Sequence, residues 1–218
     1  MGRERTRAIA VLCGLAVLVT GLAAVVSPAR PQGSPGPGPV AEAPVFRVGD
    51  QWRWTSGGSR RVIAIEGELV VTPLSNQRCK DCRAYRDKNL TIVRLVDREG
   101  KSVEDPEVGY KTLDFPMTVG KQWDSNQTLV STTGVALPYK NAFAVEAFEE
   151  VTTKAGTFKA FRIAHVQQRA HASFGADAGR TWRATLWYSA DVKAVIKREV
   201  NTNIQWGPDW ELESYSLK

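Results

Sequence analysis

The sequence predicts an all-β fold: an antiparallel meander curled into a barrel, half-barrel or sandwich, preceded by an N-terminal apolar helix. Three observations point there. From Val45 onward the apolar period is two, as in Trp182, Ala184, Leu186 and Tyr188 set against Arg183, Thr185 and Trp187. Glycine-containing turn signals punctuate the runs at short intervals, which makes neighbouring strands antiparallel. No window of a dozen residues carries a capped apolar stripe of helical period.

In chain order, the first element is an export segment. Arg3, Arg5 and Arg7 form a positive leader, and residues 8–26 follow without a charge. Basic flanks stay on the cytoplasmic side, so everything beyond residue 30 is expected outside. Residues 1–29 are a signal peptide if cleavage follows Ala29, where Ser27 and Ala29 are small. They are a signal-anchor if it does not, because 19 apolar residues reach the length of a membrane span. Cys13 follows Ala10-Val11-Leu12, which is no lipobox, and is an ordinary residue of the apolar run. Residues 30–44 are a linker, with six Pro and three Gly between positions 27 and 44 making a semi-extended spacer.

Residues 45–218 form a single β domain. Strands are expected near 50–56, 60–66, 68–73, 82–87, 90–97, 108–115, 121–124, 127–134, 143–153, 157–172, 180–189, 194–206 and 209–217. Turns fall at Ser56-Gly57-Gly58-Ser59, Glu66-Gly67-Glu68, Arg98-Glu99-Gly100-Lys101, Lys154-Ala155-Gly156-Thr157 and Trp206-Gly207-Pro208-Asp209. Val48-Gly49-Asp50-Gln51-Trp52 recurs as Val119-Gly120-Lys121-Gln122-Trp123. Each copy is a glycine turn launching a strand whose first large residue is a core tryptophan.

Composition sets limits on function. The chain has 218 residues, 43% hydrophobic and 24% charged, with a net charge of +6. Without the first 29 residues, 26 basic side chains face 22 acidic ones. That balance lacks the basic stripe a nucleic-acid partner requires.

The V-G-D-Q-W and V-G-K-Q-W motifs are followed by A-G-T-F-K-A-F-R-I at 155–163 and W-Y-S-A-D-V-K-A-V-I-K-R-E-V at 187–200. Taken together they resemble a broad group of exported bacterial domains, often lipoproteins or periplasmic proteins, whose pattern is V-G-x-x-W, A-G-T-F and W-Y-x-x-x-V-G-x-V-K. The resemblance spans about residues 46–200. It implies a curved β-sheet akin to the periplasmic lipoprotein carriers, and it brings no catalytic residues. The chain departs from the pattern at Lys193-Ala194, where glycine is favoured.

Few side chains suggest chemistry. Cys79-Lys80-Asp81-Cys82 is expected to be a disulfide outside the cytosol. Arg78, Lys80 and Arg83 would favour a thiolate, but a redox C-x-x-C opens a helix, and none is legible here. His165 and His171 are expected as surface residues of one strand face. With Cys79 and Cys82 they fit no compact zinc spacing, so no metal and no cofactor are expected. Glu146, Glu149 and Glu150 read as a solvated strand face, and neither Ser173 nor Ser189 has a nucleophile-elbow context.

The chain is therefore expected to be no enzyme. It reads as an exported periplasmic or extracellular binding or carrier module for an apolar ligand or an envelope protein, held at the inner membrane if residues 8–26 are retained. A structural component of the cell envelope and a thiol redox protein are the alternatives. The expected ligand or partner surface is aromatic: Trp52, Trp54, Trp182 and Trp187. Trp182 and Trp187 have opposite parity in one strand, so without a bulge one of them faces away from the core, at an edge, a contact or an exposed patch.

Overall fold

The computed structural model describes residues 38–76, 78–130, 135–170, 181–201 and 207–218. The expected export segment, most of the linker, Cys13, His171, Ser173 and Trp206 lie outside the described residues. Among those described, all regular structure is strand, and no helix is long and apolar enough to cross a membrane.

Fourteen strands follow one another: β1 Val40–Ala41, β2 Gln51–Trp54, β3 Ser59–Arg61, β4 Ala64–Glu66, β5 Leu69–Leu74, β6 Cys82–Arg86, β7 Ile92–Val96, β8 Met117–Thr118, β9 Gln122–Val130, β10 Ala136–Thr153, β11 Gly156–Arg169, β12 Thr181–Ser189, β13 Ala194–Val200 and β14 Trp210–Ser216. The main sheet is antiparallel, in the order β3-β2-β14-β13-β12-β11-β10-β9, and curls into a half-barrel. A second sheet is the meander β4-β5-β6-β7, and β1 pairs with β8.

Alternation sets the inner face of the main sheet. Trp123 and Ser125, then Phe143 and Val145, then Ile163 and His165, then Ala184 and Leu186 are buried, while Asp124, Ala142 and Arg183, of the opposite parity in their strands, are exposed. Register brings these positions side by side, with Phe143 opposite both Trp123 and His165. The three rings stack across three strands, with centroids 5.2 Å and 4.4 Å apart and planes within 8°. Aromatic pairs of this kind add to the stability gained from burial alone.

Both copies of the repeated motif build the same turn. Gly49 donates to Val62 O and Val62 to Asp50 O, as Gly120 donates to Val145 O and Val145 to Lys121 O. Both glycines have positive φ, +98° and +91°, which explains the residue type. Each turn launches a buried tryptophan, Trp52 in β2 and Trp123 in β9.

Several expectations change, beginning with the strands expected at 121–124 and 127–134, which are one strand, β9. The strand expected at 60–66 breaks at Val62-Ile63, where the chain passes from the main sheet to the second sheet. Residues 108–115 are not a strand; the segment makes one isolated bridge, Val108 with Ile92. It lies over the inner face, with Phe115 edge-on to Tyr188 at 5.1 Å and Tyr110 tilted on Phe143 at 6.4 Å. Leu113 and Phe115 are buried as a cover rather than as part of a ladder. The folded part also begins before residue 45, since Ala41 in β1 is buried in the core.

Candidate functional site

Between the main sheet, the second sheet and the covering segment lies a cavity of about 400 Å³. Such a volume is at the lower end of small-molecule sites. Its apolar wall is Trp54 from β2, Leu186 from β12, Val195 from β13, Trp210 from β14, and Leu90 and Leu113 from the connecting segments. Its polar wall carries Arg60 from β3, Arg86 from β6 and Arg198 from β13, together with Glu107 and Tyr110.

Tertiary contacts fix the walls. The Trp54 indole N–H donates to Val195 O at 2.9 Å, and its ring meets Trp210 edge-on at 6.0 Å. The Arg60 guanidinium lies 5.5 Å from the Trp54 ring centre. Arg86 donates from Nε to Thr72 Oγ1 and from Nη1 to Leu90 O, at 3.2 and 3.0 Å. Burial lowers the Arg60 pKa to about 9, with repulsion from Arg86 adding to it and Glu107 opposing it. Burial likewise lowers Arg86 and Arg198 and raises Tyr110. At neutral pH the three guanidiniums are cations and the phenol is neutral.

Beside the cavity is a small polar cluster. The His165 Nε2 lies 2.9 Å from Asn141 Oδ1 and 3.4 Å from the Tyr110 hydroxyl, and Gln167 Nε2 donates to the same Asn141 oxygen. His165 is buried, which corrects the expectation of a surface histidine: its parity in β11 is that of Ile163, facing in. Burial, helped by Arg198, lowers its pKa to about 4.

The expected aromatic surface divides. Trp54 lines the cavity; Trp52, Trp182 and Trp187 do not. Trp52 is buried on Phe46 and donates to Val192 O. Trp182 is edge-on to Tyr139 at 5.5 Å. Trp187 has the opposite parity, as expected, yet it is only 8% exposed. Its indole N–H donates to Glu149 Oε1 at 2.8 Å, and the Lys197 ammonium lies 5.2 Å from its ring centre. Long polar side chains on its own face cover it.

The other candidates are placed as follows. Cys79 and Cys82 are a close buried pair, with Cα atoms 5.8 Å apart, packed against Ala84, Ile92 and Leu95. Cys82 opens strand β6, not a helix. Glu146 and Glu149 pair with Arg162 at 3.3 and 3.2 Å, and Glu150 with Lys159 at 3.6 Å. Ser189 is fully buried and its hydroxyl has no hydrogen-bond partner, so no base activates it. Among the described residues no group of three or more His, Cys, Asp or Glu is placed to hold a metal ion.

The sequence reading missed the arginines. A signal for them existed: Arg198 has the parity of Ile196 and Val200, Arg86 that of Cys82 and Ala84, and Arg60 that of Val62. A cation on an inward parity is costly unless something compensates for it.

No family model matches the chain, and no curated protein matches it. Three solved structures are similar in shape. A "putative exported protein with YmcC-like fold" from Bacteroides fragilis is 12% identical, with a TM-score of 0.45 over 81% of this chain and 99% of its own. The "hypothetical lipoprotein YmcC" from Escherichia coli is 12% identical, with a TM-score of 0.40 over 79% of this chain and 88% of its own. A "putative lipoprotein" from Parabacteroides distasonis is 13% identical, with a TM-score of 0.42 over 82% of this chain and all of its own.

Proposed function

We propose that the chain is an exported, non-catalytic binding module of the cell envelope, and that its ligand enters the cavity between the two larger sheets. One observation carries the reading: a space of about 400 Å³ walled by Trp54, Trp210 and Leu186 and facing Arg60, Arg86 and Arg198. Well-packed interiors leave few voids larger than a water molecule, so a space this large calls for a use. Export is supported by the arginine leader and by residues 8–26. A thiol redox role is disfavoured by the burial of Cys82, which is 1% exposed.

The test uses a neutral apolar fluorophore, N-phenyl-1-naphthylamine, titrated against the folded protein. Binding should quench Trp54 and Trp210 and should be lost in Leu186→Trp, which fills the space without adding charge. No saturable binding to the wild-type protein refutes the reading, and unchanged binding by Leu186→Trp places it elsewhere. Export is tested separately, by the intact mass of protein recovered from envelope and cytosolic fractions.

A further inference from the structure

The cavity wall is asymmetric. Among the described residues, three guanidiniums, Arg60, Arg86 and Arg198, share it with a single carboxylate, that of Glu107, which stands on an exposed position of the covering segment. The other titratable group facing the space is the neutral Tyr110. Arg198 is compensated in part by the Asp209 carboxylate, whose Oδ1 also accepts the backbone N–H of Val200 at 2.7 Å.

Arg60 and Arg86 also lack partners of the expected kind. Among the described residues, neither Arg60 nor Arg86 makes a salt bridge. Arg86 is held by two neutral oxygens, Thr72 Oγ1 and Leu90 O. Arg60 rests against the Trp54 ring and makes no hydrogen bond. A guanidinium carries five N–H donors in a planar fork suited to two oxygens of one anion. Arg60 and Arg86, brought from β3 and β6 to one space with Arg198 beside them, are two cations without a carboxylate partner in contact among the described residues.

Resting on the binding reading above, we infer that the ligand of this cavity is an amphiphile with an anionic head, a carboxylate, phosphate ester or sulfate ester. The head docks on Arg60 with Arg86 and Arg198 beside it. The apolar body lies along Trp54, Leu186 and Trp210. Charge-assisted, bidentate contacts in a partly desolvated site fix the head, and the hydrophobic wall supplies affinity that is not specific for chain type. Glu107 sits where it neutralises part of the cluster when the site holds no anion.

The experiment is displacement of N-phenyl-1-naphthylamine by decanoate, decyl phosphate, decanol and inorganic phosphate, each on wild type, Arg60→Gln and Arg60→Lys. Arg60 is the arginine to change because it makes no hydrogen bond whose loss would unfold the wall. Decanoate and decyl phosphate should displace at least about tenfold better than decanol, the preference expected of one charge-assisted pair. Arg60→Gln should narrow that preference to within about threefold, while Arg60→Lys should keep part of it. The wild-type preference should also shrink in high salt, a readout that needs no variant.

Equal displacement by acid and alcohol overturns the anionic head and leaves the apolar cavity standing. Fluorophore that never binds, with no effect of any competitor on protein fluorescence, overturns both readings. Inorganic phosphate that binds as tightly as decyl phosphate, with decanol inert, supports the arginine site and overturns the apolar body. A preference for acids that survives Arg60→Gln intact overturns the assignment to this cluster.

Discussion

The backbone N–H of Lys218 donates to Asp50 Oδ1 at 2.7 Å across a separation of 168 residues. Asp50 Oδ2 accepts from the Arg47 N–H at 3.0 Å and from Lys193 Nζ at 3.2 Å. The carboxylate is fully buried. Burial pushes its pKa up, but the Lys218 and Arg47 amides and the Lys193 ammonium outweigh that, and the net direction is down. Asp50→Ala would orphan these donors and should cost roughly 2–4 kcal/mol, measured by urea unfolding. In wild type the stability Asp50 gives is complete above the pKa of a free aspartate. It is lost as pH falls through the lower folded value, a loss Asp50→Ala should not show.

Lys193 holds one of those contacts from a backbone with φ of +56°, the left-handed region. Glycine adopts this region without cost, so with lysine here the chain accepts a strained backbone and gains an ammonium at Asp50. Lys193→Ala keeps the strain and loses the ion pair; Lys193→Gly loses both. The alanine variant should therefore be the less stable by about 1 kcal/mol. Equal melting midpoints for the two would show that the strain is not felt.

His165 should make stability fall with acid. Its folded pKa of about 4 lies below the ordinary value of 6.5, so between those values the unfolded chain binds the extra proton. Its contribution is complete above about pH 6.5, declines toward pH 4 and amounts to at most about 3 kcal/mol. His165→Gln, which cannot titrate, should flatten the unfolding free energy over that window. Parallel curves for variant and wild type would exclude His165 as the cause.

Trp187→Ala should behave as a core truncation, costing roughly 3–5 kcal/mol, because the indole is buried and its N–H is bonded to Glu149. Binding of the neutral fluorophore by the fraction that remains folded should be unchanged, since Trp187 does not line the cavity. A stable variant that no longer binds would return Trp187 to the ligand surface.

Cys79 and Cys82 should be oxidised in the exported protein. Alkylation before and after reduction, followed by intact mass, should find no free thiol in this pair until reductant is added. Changing both to serine should cost about 2 kcal/mol, the entropy of so short a loop. Free thiols in protein purified without reductant would contradict the bond.

Much of the architecture was legible because alternation is a local property. Trp182, Ala184, Leu186 and Tyr188 are all buried, as their shared parity requires. The repeated V-G-x-Q-W motif does form the same turn twice. What failed was long-range. Residues 108–115 read locally as a strand, yet beyond the single Val108–Ile92 bridge no neighbouring edge pairs with them, and Leu113 and Phe115 pack into the core instead. The extension of β10 back to Ala136 was hidden by Pro138, which argues locally against a strand. The candidate site was barely legible. Trp54 was named for its bulk, whereas Arg60, Arg86 and Arg198 lie far apart in sequence, and only the fold brings them to one space.

The pairing of β2 with β14, with Tyr215 opposite Trp52, has a consequence for the order of events in folding. β2 is an inner strand of the main sheet, between β3 and β14, and it has no partner on that side until residues 210–216 arrive. The high contact order of this closure predicts a slow, late step, since the loop must close before any pairing rewards it. A nascent or partly threaded chain would therefore hold its cavity unmade. Were the chain exported as proposed above, that delay would keep the domain competent for transport until residues 210–216 had followed.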